Sequence, residues 1–349
     1  MTSLERIWYD DGVAARLGRA ALAPPALLYA AVVHVRGSLY DRGLLRAHPP
    51  ALPVLSLGNL TVGGTGKTPL AAWTAARLRE AGARPAVLLR GYGGDEALVH
   101  ATLNPSVPVI VNADRVTGVD EARTAGADCV ILDDGFQHRR LARTADWVLV
   151  AAEQFARARR LLPAGPMREP LSALSRAHVM VVTRKSASLD TADAVANALK
   201  SIAPRAAVAV CHLAPAGLVD AIAGSMVPLA RLRGLRVVAV AAIGAPDAFF
   251  AQLRSLGVAE LRTVARRDHH RFTRTDVEQI VRDARRTDGV VCTLKDAVKL
   301  APLWSDVGVP LWYVSQRAEI ERGRQLLEAS LATILSARAS DSSTAGAAG

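Results

Sequence analysis

The sequence predicts an α/β fold, with a doubly wound, mostly parallel sheet and a second, smaller α/β domain. Short apolar runs recur along the first part of the chain, with helix-compatible segments between several of them. Continuous apolar strands that alternate with helices are typical of a parallel sheet covered on both faces. The same alternation resumes after residue 235, and 349 residues exceed what one compact core usually uses.

Residues 1–48 form an N-terminal segment that we expect to be helical and to associate with a membrane. Its stretch 20–35 is apolar but shorter than the roughly 20 residues that a spanning helix needs, and Pro24-Pro25 interrupts it. Arginines flank the stretch, and tryptophan and tyrosine side chains lie near it. These features favour an interfacial helix on an anionic leaflet. A helix packed on the protein's own core is the alternative.

The core domain, residues 49–205, begins with a glycine-rich loop between a strand and a helix. The apolar run Val54–Leu57 precedes the loop, and residues 69–81 have helical apolar spacing. This layout predicts a P-loop NTPase-like cradle, in which backbone N–H groups surround nucleotide phosphates. The expected phosphate-binding residues are Thr61, Val62, Gly63, Gly64, Thr65, Gly66, Lys67 and Thr68.

Within this loop, Lys67 can reach the β- and γ-phosphates, and the Thr68 hydroxyl can bind Mg²⁺. One departure is visible, because Thr61 stands where the usual pattern begins with glycine. A glycine-rich turn that binds nothing is the alternative interpretation. Such a turn would not require Lys67 and Thr68 at the start of a helix.

Apolar runs at 86–89, 107–111, 129–132, 147–150 and 179–182 are the further expected strands, with a helix at 113–125. Asp133 and Asp134 follow the third of these runs. A carboxylate at the carboxyl end of a strand beside a phosphate loop is the usual second half of a Mg²⁺–nucleotide site. A common Asp-Asp-Gly turn is the alternative.

The second domain is expected at residues 206–335, after a less regular region at 183–235 with several prolines. The expected strands are 236–243, 258–264, 289–293 and 309–314, and the expected helices are 245–256 and 274–286. The tail 336–349 consists mainly of Ala, Ser, Thr and Gly, a composition that predicts disorder.

Four polar residues outside the glycine-rich loop are candidates for chemistry. Asp95 follows a strand and can act as a general base, although a helix N-cap is an equally good interpretation. Arg168 and Glu169 lie in the proline-rich loop 162–170, where the arginine can reach a transferring phosphoryl group, or the two can form a structural ion pair. His269 follows Asp268 and can orient a base, whereas a surface histidine pair is the commoner explanation.

The amino-acid composition limits the classes of partner that the protein is expected to bind. The net charge of +11 suggests an anionic partner, although most basic residues are arginine. Aromatic residues make up only 4% of the chain and are not interleaved with basic runs, which argues against nucleic acid as the partner. Three isolated cysteines in apolar runs predict reduced core residues of a cytosolic protein.

The ordered set of these motifs resembles the tetraacyldisaccharide 4'-kinase family of lipid A biosynthesis. The matching stretches cover roughly residues 53–315 and include residues 58–69, 90–93, 94–96, 133–138, 162–170, 268–269 and 293–299. The resemblance implies ATP-dependent phosphorylation of the 4'-hydroxyl of a tetraacylated glucosamine disaccharide 1-phosphate, giving lipid IVA. It implies ATP and Mg²⁺ as cofactors, and a monomer on the cytoplasmic face of the inner membrane.

The resemblance also implies roles for individual residues. Asp95 is then the general base and His269 its partner, with Asp133 and Asp134 in the metal site. The other matching active-site positions are Glu96, Gln137, His138, Arg168 and Glu169. The family accepts Thr or Ser at the position of Thr61.

Two departures from the family pattern stand out. Residues 90–93 and 94–96 are fused here, whereas a longer segment usually separates the two stretches in the family. Leu294 replaces a common acidic residue.

The alternative function is a P-loop GTPase or ATPase of regulatory or chaperone type. A guanine-reading Asn-Lys-x-Asp would support that function, and residues 293–296 do not match it. A further alternative is a non-enzymatic adaptor with an inactive loop.

Overall fold

The structure, a computed structural model, describes residues 3–91, 94–156, 159–304 and 307–345. The chain divides into two compact units. The first comprises residues 1–91, 104–213 and 318–349, and the second comprises residues 92–103 and 214–317. Both are α/β units with mostly parallel strands, so the predicted fold class is confirmed.

The described part of the chain contains twelve α-helices and twelve strands. The helices are α1 Ser3–Tyr9, α2 Val13–Ala21, α3 Ala23–Asp41, α4 Lys67–Glu80, α5 Asp95–Leu103, α6 Arg115–Thr124, α7 Ala152–Phe155, α8 Leu189–Ile202, α9 Pro246–Ser255, α10 Arg274–Ala284, α11 Leu294–Leu300 and α12 Arg324–Ala345. The strands are β1 Val54–Asn59, β2 Pro85–Leu89, β3 Val109–Val111, β4 Cys129–Asp133, β5 Ala145–Ala151, β6 Val179–Arg184, β7 Ala207–Asp220, β8 Met226–Val227, β9 Arg236–Ala241, β10 Glu260–Ala265, β11 Gly289–Thr293 and β12 Leu311–Arg322.

In the first unit the strand order is β7-β6-β5-β1-β4-β2-β3, and every adjacent pair is parallel. Strand β1 is buried along its whole length between β4 and β5. Since the strands are parallel, the carboxyl ends of β1 and β4 reach the same edge of the sheet, where Leu57 is in register with Asp133. The glycine-rich loop therefore begins beside the aspartate pair, as a doubly wound sheet requires of its ligand edge.

The second unit repeats the pattern with the strand order β10-β9-β11-β12, again parallel. One apolar cluster contains Val238 and Val290 with helix residues Val277 and Ile280. A second contains Val237 and Val291 with residues of α9. Because neighbouring positions of β9 and β11 belong to different clusters, both faces of these strands are covered. The burial explains their continuous apolar sequence.

Helix α8 and strands β7 and β8 lie in the region that the sequence marked as irregular. Helix α8 is capped by the Ser188 hydroxyl, which accepts a hydrogen bond from the backbone N–H of Thr191. It buries Ala192, Val195 and Leu199 at helical spacing. Strand β7 follows and extends across Pro215. The prolines thus limit the ends of these elements or lie within a long strand, and they do not make the region irregular.

The C-terminal boundary also differs from the prediction. Helix α12 continues to Ala345, although disorder was expected from residue 336. Its Leu327 and Ile334 are buried, and the Arg338 guanidinium forms an ion pair with Asp128 at 3.1 Å. These contacts hold a segment whose composition alone predicts disorder. The helix belongs to the first unit, whereas the predicted second domain continued to residue 335.

The N-terminal helices place much of their apolar surface in solvent. Helix α3 has no buried residue, and Leu27, Leu28, Val32 and Val35 are each more than half exposed. Pro24 and Pro25 lie in the first turn of α3, where proline is tolerated, and the break in the chain comes at Leu22. Within the described residues no single helix is long and apolar enough to span a membrane. The α2–α3 pair meets that length and composition only when taken together across a bend of 51°.

All three cysteines are buried and unpaired with one another, as their apolar surroundings predict. Burial raises the pKa of the Cys129 and Cys211 thiols to about 12. Burial also raises the pKa of Cys292 well above its usual value.

Candidate active site

The glycine-rich loop has a backbone that only glycine suits at its end. Gly66 immediately precedes α4 and has φ of 86°, and a Cβ there would lie 2.2 Å from the Leu213 side chain. The Thr183 hydroxyl donates a hydrogen bond of 2.9 Å to the carbonyl of Thr65. These restraints shape the loop before any ligand binds. Preorganised N–H groups bind phosphate without a large ordering cost.

The proline-rich loop lies against the glycine-rich loop. The N–H of Val62 donates to the carbonyl of Pro166 at 2.8 Å, and the N–H of Arg168 donates to the carbonyl of Leu60 at 2.6 Å. These backbone bonds deliver the Arg168 side chain to the carboxyl edge of β1. The sequence predicted an arginine near the phosphate site, and the structure supplies the positioning contacts.

Four side chains form what we call the phosphate-loop cluster: Asn59, Lys67, Asp134 and Arg168. The Lys67 ammonium donates to Asn59 Oδ1 at 3.1 Å and lies 3.3 Å from Asp134 Oδ1. Arg168 donates one hydrogen bond of 2.8 Å to each carboxylate oxygen of Asp134, and it also donates to Asn59 Oδ1. Lys67, Asp134 and Arg168 come from three separate parts of the chain, and the fold brings them together.

The charges of this cluster do not cancel. Two cations face one carboxylate, so one positive charge is in excess. Burial acts to raise the pKa of Asp134, but the hydrogen bonds from Arg168 and the charge of Lys67 outweigh it and hold the pKa well below its usual value. Asp134 is therefore ionised at neutral pH and keeps both cations at the mouth of the loop. Such a cluster is suited to bind a polyanion.

The predicted metal ligands are distributed over two neighbouring elements. Thr68 lies in the first turn of α4, and Asp133 is buried at the carboxyl end of β4. Asp134 follows with φ of 55°, a turn conformation that directs its carboxylate to Arg168. Among the described residues no group of three His, Cys, Asp or Glu side chains could hold a metal alone. Hydroxyl and carboxylate oxygens without a complete protein cage suit Mg²⁺, which takes its remaining ligands from water and phosphate.

Three other predicted positions have different contacts. Gln137 Nε2 donates to the carbonyl of Asn59 at 2.9 Å. Glu169 forms an ion pair of 2.7 Å with Arg176, and Arg168 pairs with Asp134, so the alternative of an ion pair between Arg168 and Glu169 is wrong. Burial, followed by the charges of Arg115 and Arg143, lowers the pKa of His138 to about 4. His138 is therefore neutral at pH 7.

The second unit contains a separate group, the Asp95 cluster, formed by Asp95, His269, Asp296 and Lys299. Asp95 is 3% exposed, and its oxygens lie 3.0 and 3.1 Å from His269 Nδ1. The Lys299 ammonium lies 3.6 Å from Asp95 and 3.4 Å from Asp296. His269 has φ of 58°, an uncommon backbone for a non-glycine residue. The predicted pairing of Asp95 with His269 is present, and Glu96 follows Asp95 in the first turn of α5.

The sequence analysis assigned no role to Asn59, Asp296 or Lys299. Asn59 is a fully buried amide at the end of an apolar strand, which is a signal of a fixed polar contact. Lys299 is one of only five lysines in the chain. Asp296 is fully buried and accepts a hydrogen bond from the N–H of Ala242. Neither apolar periodicity nor motif spacing identifies contacts of this kind.

A family model described as tetraacyldisaccharide-1-P 4'-kinase matches residues 18–96 and 93–336. The chain belongs to the tetraacyldisaccharide 4'-kinase family. The family resemblance given by the motifs is thereby confirmed. The two matched segments overlap at residues 93–96, where the sequence fuses two motifs that the family usually separates. Tyr92 and Gly93 of the first motif lie outside the described residues.

Relatives in the tetraacyldisaccharide 4'-kinase family match almost the whole chain. The tetraacyldisaccharide 4'-kinase of Anaeromyxobacter dehalogenans strain 2CP-C is 39% identical over 364 aligned positions, which cover 95% of each chain. That of Halorhodospira halophila is 38% identical, covering 94% of this chain and 95% of the relative. A crystal structure of LpxK from Aquifex aeolicus in complex with ATP is 27% identical with a TM-score of 0.72, covering 90% of this chain and 99% of that one.

Proposed function

We propose that this protein transfers the γ-phosphoryl group of ATP to the 4'-hydroxyl of a tetraacylated glucosamine disaccharide 1-phosphate. Membership of the tetraacyldisaccharide 4'-kinase family supports this activity over a regulatory GTPase or chaperone ATPase. The single structural observation that carries the proposal is the phosphate-loop cluster, where Lys67 and Arg168 converge on Asp134 beside the glycine-rich loop.

The nucleotide binds with its phosphates over the loop from Thr61 to Thr68. Backbone N–H groups bind the phosphate oxygens, and Lys67 moves from Asp134 to the β- and γ-phosphates. Arg168 neutralises charge on the transferring group, which is where electrostatic stabilisation lowers the barrier most. The excess positive charge of the cluster supports this role.

The Thr68 hydroxyl and the Asp133 carboxylate would hold Mg²⁺, and the ion would neutralise phosphate charge. Asp134 holds Lys67 before the nucleotide binds and remains engaged by Arg168 afterwards, so we assign it chiefly to positioning these two cations. Gln137 supports the same edge through Asn59.

Asp95 takes the proton of the attacking hydroxyl. Its carboxylate is held by His269 Nδ1 at 3.0 Å, and the Lys299 ammonium lies 3.6 Å away. Positioned bases of this kind contribute roughly 10²- to 10⁴-fold to a rate. Glu96 and His138 remain proposed active-site positions. The ion pair between Glu169 and Arg176 favours a structural role for Glu169 in the site.

The α2–α3 pair holds the enzyme on the cytoplasmic face of the inner membrane, where an acylated substrate resides. The exposed leucines and valines of α3 support burial in the headgroup region over packing on the protein's own core. The excess of basic residues favours an anionic surface. We propose that the protein acts there as a monomer.

The deciding experiment incubates the purified full-length protein with γ-labelled ATP, Mg²⁺ and the tetraacyl disaccharide 1-phosphate in detergent micelles. Label is expected in the lipid. The Lys67→Ala variant should lose at least a hundredfold in rate, and GTP should replace ATP poorly. Label released only as inorganic phosphate, with none in the lipid, would favour a hydrolase of the alternative class.

A further inference from the structure

A cavity of about 400 Å³ lies at the C-terminal end of α3, apart from the phosphate-loop cluster. We call it the α3 pocket. Its lining includes Tyr40, Leu45, Arg46, Arg139, Arg143 and Asp146. All of these residues belong to the first unit.

The α3 pocket lies at the opposite edge of the sheet from the nucleotide loop. Asp146 is near the amino end of β5, whereas the loop follows the carboxyl end of the parallel strand β1. Helix α3 connects the two regions, because the Tyr29 hydroxyl donates to the carbonyl of Arg168 and Asp41 pairs with Arg139. At 1.5 Å per residue, these two helix positions are about 18 Å apart. The pocket therefore cannot serve the transferring phosphoryl group.

The arginines of the α3 pocket are held in place by their neighbours. Arg143 donates to both oxygens of Asp146 at 2.9 to 3.2 Å, in a pair that is almost fully buried. Arg139 forms an ion pair with Asp41 at 2.7 Å, and its guanidinium lies 4.9 Å from the centre of the Tyr40 ring. A guanidinium fixed in this way loses little rotamer entropy when it binds an anion.

Arg46 differs from the other two arginines. Its side chain is exposed, and among the described residues it has no ion pair with a carboxylate. Three guanidinium groups thus line the pocket, and two of them are paired with carboxylates, Arg139 with Asp41 and Arg143 with Asp146, so one positive charge is in excess. The imbalance favours an anionic ligand, and guanidinium groups match phosphate oxygens well.

The surroundings of the α3 pocket indicate what kind of phosphate it takes. Leu44 is 69% exposed and Leu45 is 40% exposed, and Val32 and Val35 of α3 continue the apolar surface along the helix. A free phosphate needs no apolar neighbours, but a lipid phosphate carries acyl chains beside it. We infer that the α3 pocket binds the phosphate of an anionic phospholipid headgroup. This inference rests on the proposed membrane association and adds a defined headgroup site to it.

The test measures binding of the full-length protein to vesicles of phosphatidylcholine with and without phosphatidylglycerol. Arg46→Gln removes the exposed cation, and Arg42→Gln is the matched control, because Arg42 is an exposed arginine nearby that does not line the pocket. One basic residue near an anionic surface contributes about 1 kcal/mol, or roughly fivefold in binding. We expect at least a tenfold loss for Arg46→Gln on anionic vesicles and at most about fivefold for Arg42→Gln.

A third variant separates a pocket from a diffuse basic surface. Ala47 lines the cavity, so Ala47→Phe fills it without changing any charge. We expect this variant to lose at least fivefold on anionic vesicles and to bind phosphatidylcholine vesicles as the unchanged protein does. Equal losses for the two arginine variants, with no effect of Ala47→Phe, would contradict the proposal that the α3 pocket binds a headgroup phosphate.

Two further outcomes are distinguishable from these. If the unchanged protein binds neither kind of vesicle, the membrane association fails together with the pocket. If Arg46→Gln instead raises the KM for the lipid substrate at least fivefold in phospholipid-free micelles, the occupant is the substrate's own phosphate. That result would overturn the assignment to a phospholipid. Label transfer in micelles tests the kinase activity separately from all of these measurements.

Discussion

Asp134 organises more of the phosphate-loop cluster than its place in a short turn suggests. Its two oxygens hold Arg168 in a bidentate pair, and Lys67 lies 3.3 Å from one of them. A bidentate guanidinium–carboxylate pair fixes direction as well as charge. A lysine in place of Arg168 would preserve the charge and lose that geometry.

Lys299 provides a sharp test of the Asp95 cluster. Lys299→Met leaves the buried carboxylates of Asp95 and Asp296 without their shared cation, so we expect kcat to fall about 10- to 100-fold. Steady-state kinetics of lipid phosphorylation measures this loss.

The matched control is Lys295→Met on the same helix, α11. It should leave kcat unchanged. The double variant Lys299→Met with Asp296→Asn removes one of the two stranded carboxylates and should recover part of the loss. Equal kinetics for the Lys295 and Lys299 variants would show that the ammonium does not act on Asp95.

The free energy of unfolding depends on pH through the protonation of His138. Its pKa of about 4 in the folded protein is below the usual value of 6.5, so between these values the unfolded chain binds a proton that the folded chain does not. The contribution of this residue to the free energy of unfolding is fully present above pH 6.5 and is lost as the pH falls toward 4. The full pKa difference corresponds to roughly 3–4 kcal/mol, which solvent screening at this partly exposed imidazole reduces to about 2–3 kcal/mol. Urea unfolding of the unchanged protein and of His138→Gln should show a shallower pH dependence for the variant. His34→Gln, at an exposed position, should not change the slope.

At the scale of elements, the loop before α4 depends on its packing as much as on its own sequence. It is hydrogen-bonded to residues of the proline-rich loop, and Thr183 of β6 donates to the carbonyl of Thr65. Leu213 of β7 fills the space beside Gly66. A strand that the sequence marked as irregular thus restricts the nucleotide loop.

Gly66→Ala should distort this loop. The new Cβ meets Leu213 and the backbone has φ of 86°, so we expect a stability loss of about 1–3 kcal/mol. ATP affinity should fall at least tenfold. Isothermal calorimetry and thermal unfolding measure the two effects. Gly64→Ala is the control, because no atom lies within 4 Å of a Cβ at that position. If Gly66→Ala binds ATP normally, the loop is adaptable and the steric argument fails.

At the scale of the whole molecule, the two side-chain clusters belong to different compact units. Binding of phosphate is assigned to the first unit and removal of the proton to Asp95 in the second. The division has a thermodynamic consequence. A change confined to the base should alter the chemical step and leave the affinity for nucleotide nearly constant.

Asp95→Asn tests that separation. The amide has nearly the same shape but cannot accept the proton, so lipid phosphorylation should fall 10²- to 10⁴-fold. ATP affinity, measured by calorimetry, should stay within about twofold. Lys67→Ala should weaken ATP binding itself. A large loss of ATP affinity in Asp95→Asn would mean that Asp95 acts in nucleotide binding and not as the base.

Much of the architecture follows from local sequence patterns. Continuous apolar runs predicted β2, β4, β5 and β6, because a strand buried on both faces has apolar residues at successive positions. Helix α8 was not predicted, because the prolines after it suggested that this region has no regular secondary structure. Helix α12 was not predicted because its stability comes from buried Leu327 and Ile334, while its composition resembles a disordered tail.

The site was predictable in its residue types but not in its pairings. Motif order indicated Lys67, Asp134 and Arg168, yet nothing in the spacing shows that Arg168 pairs with Asp134 while Glu169 pairs with Arg176. The contact of Asp95 with His269 joins residues far apart in sequence and was suggested only by the family resemblance. Lys299 received no role, because its partners become neighbours only through folding.

The buried cysteines make the chain convenient for chemical labelling. Burial raises the pKa of Cys129 and Cys211 to about 12 and that of Cys292 well above its usual value, so these buried thiols present almost no thiolate at neutral pH. Maleimide reagents should therefore leave the folded protein unmodified. A single cysteine introduced on the exposed face of α3 would carry a fluorophore at one site, and the environment of that helix could be recorded without removing any native residue.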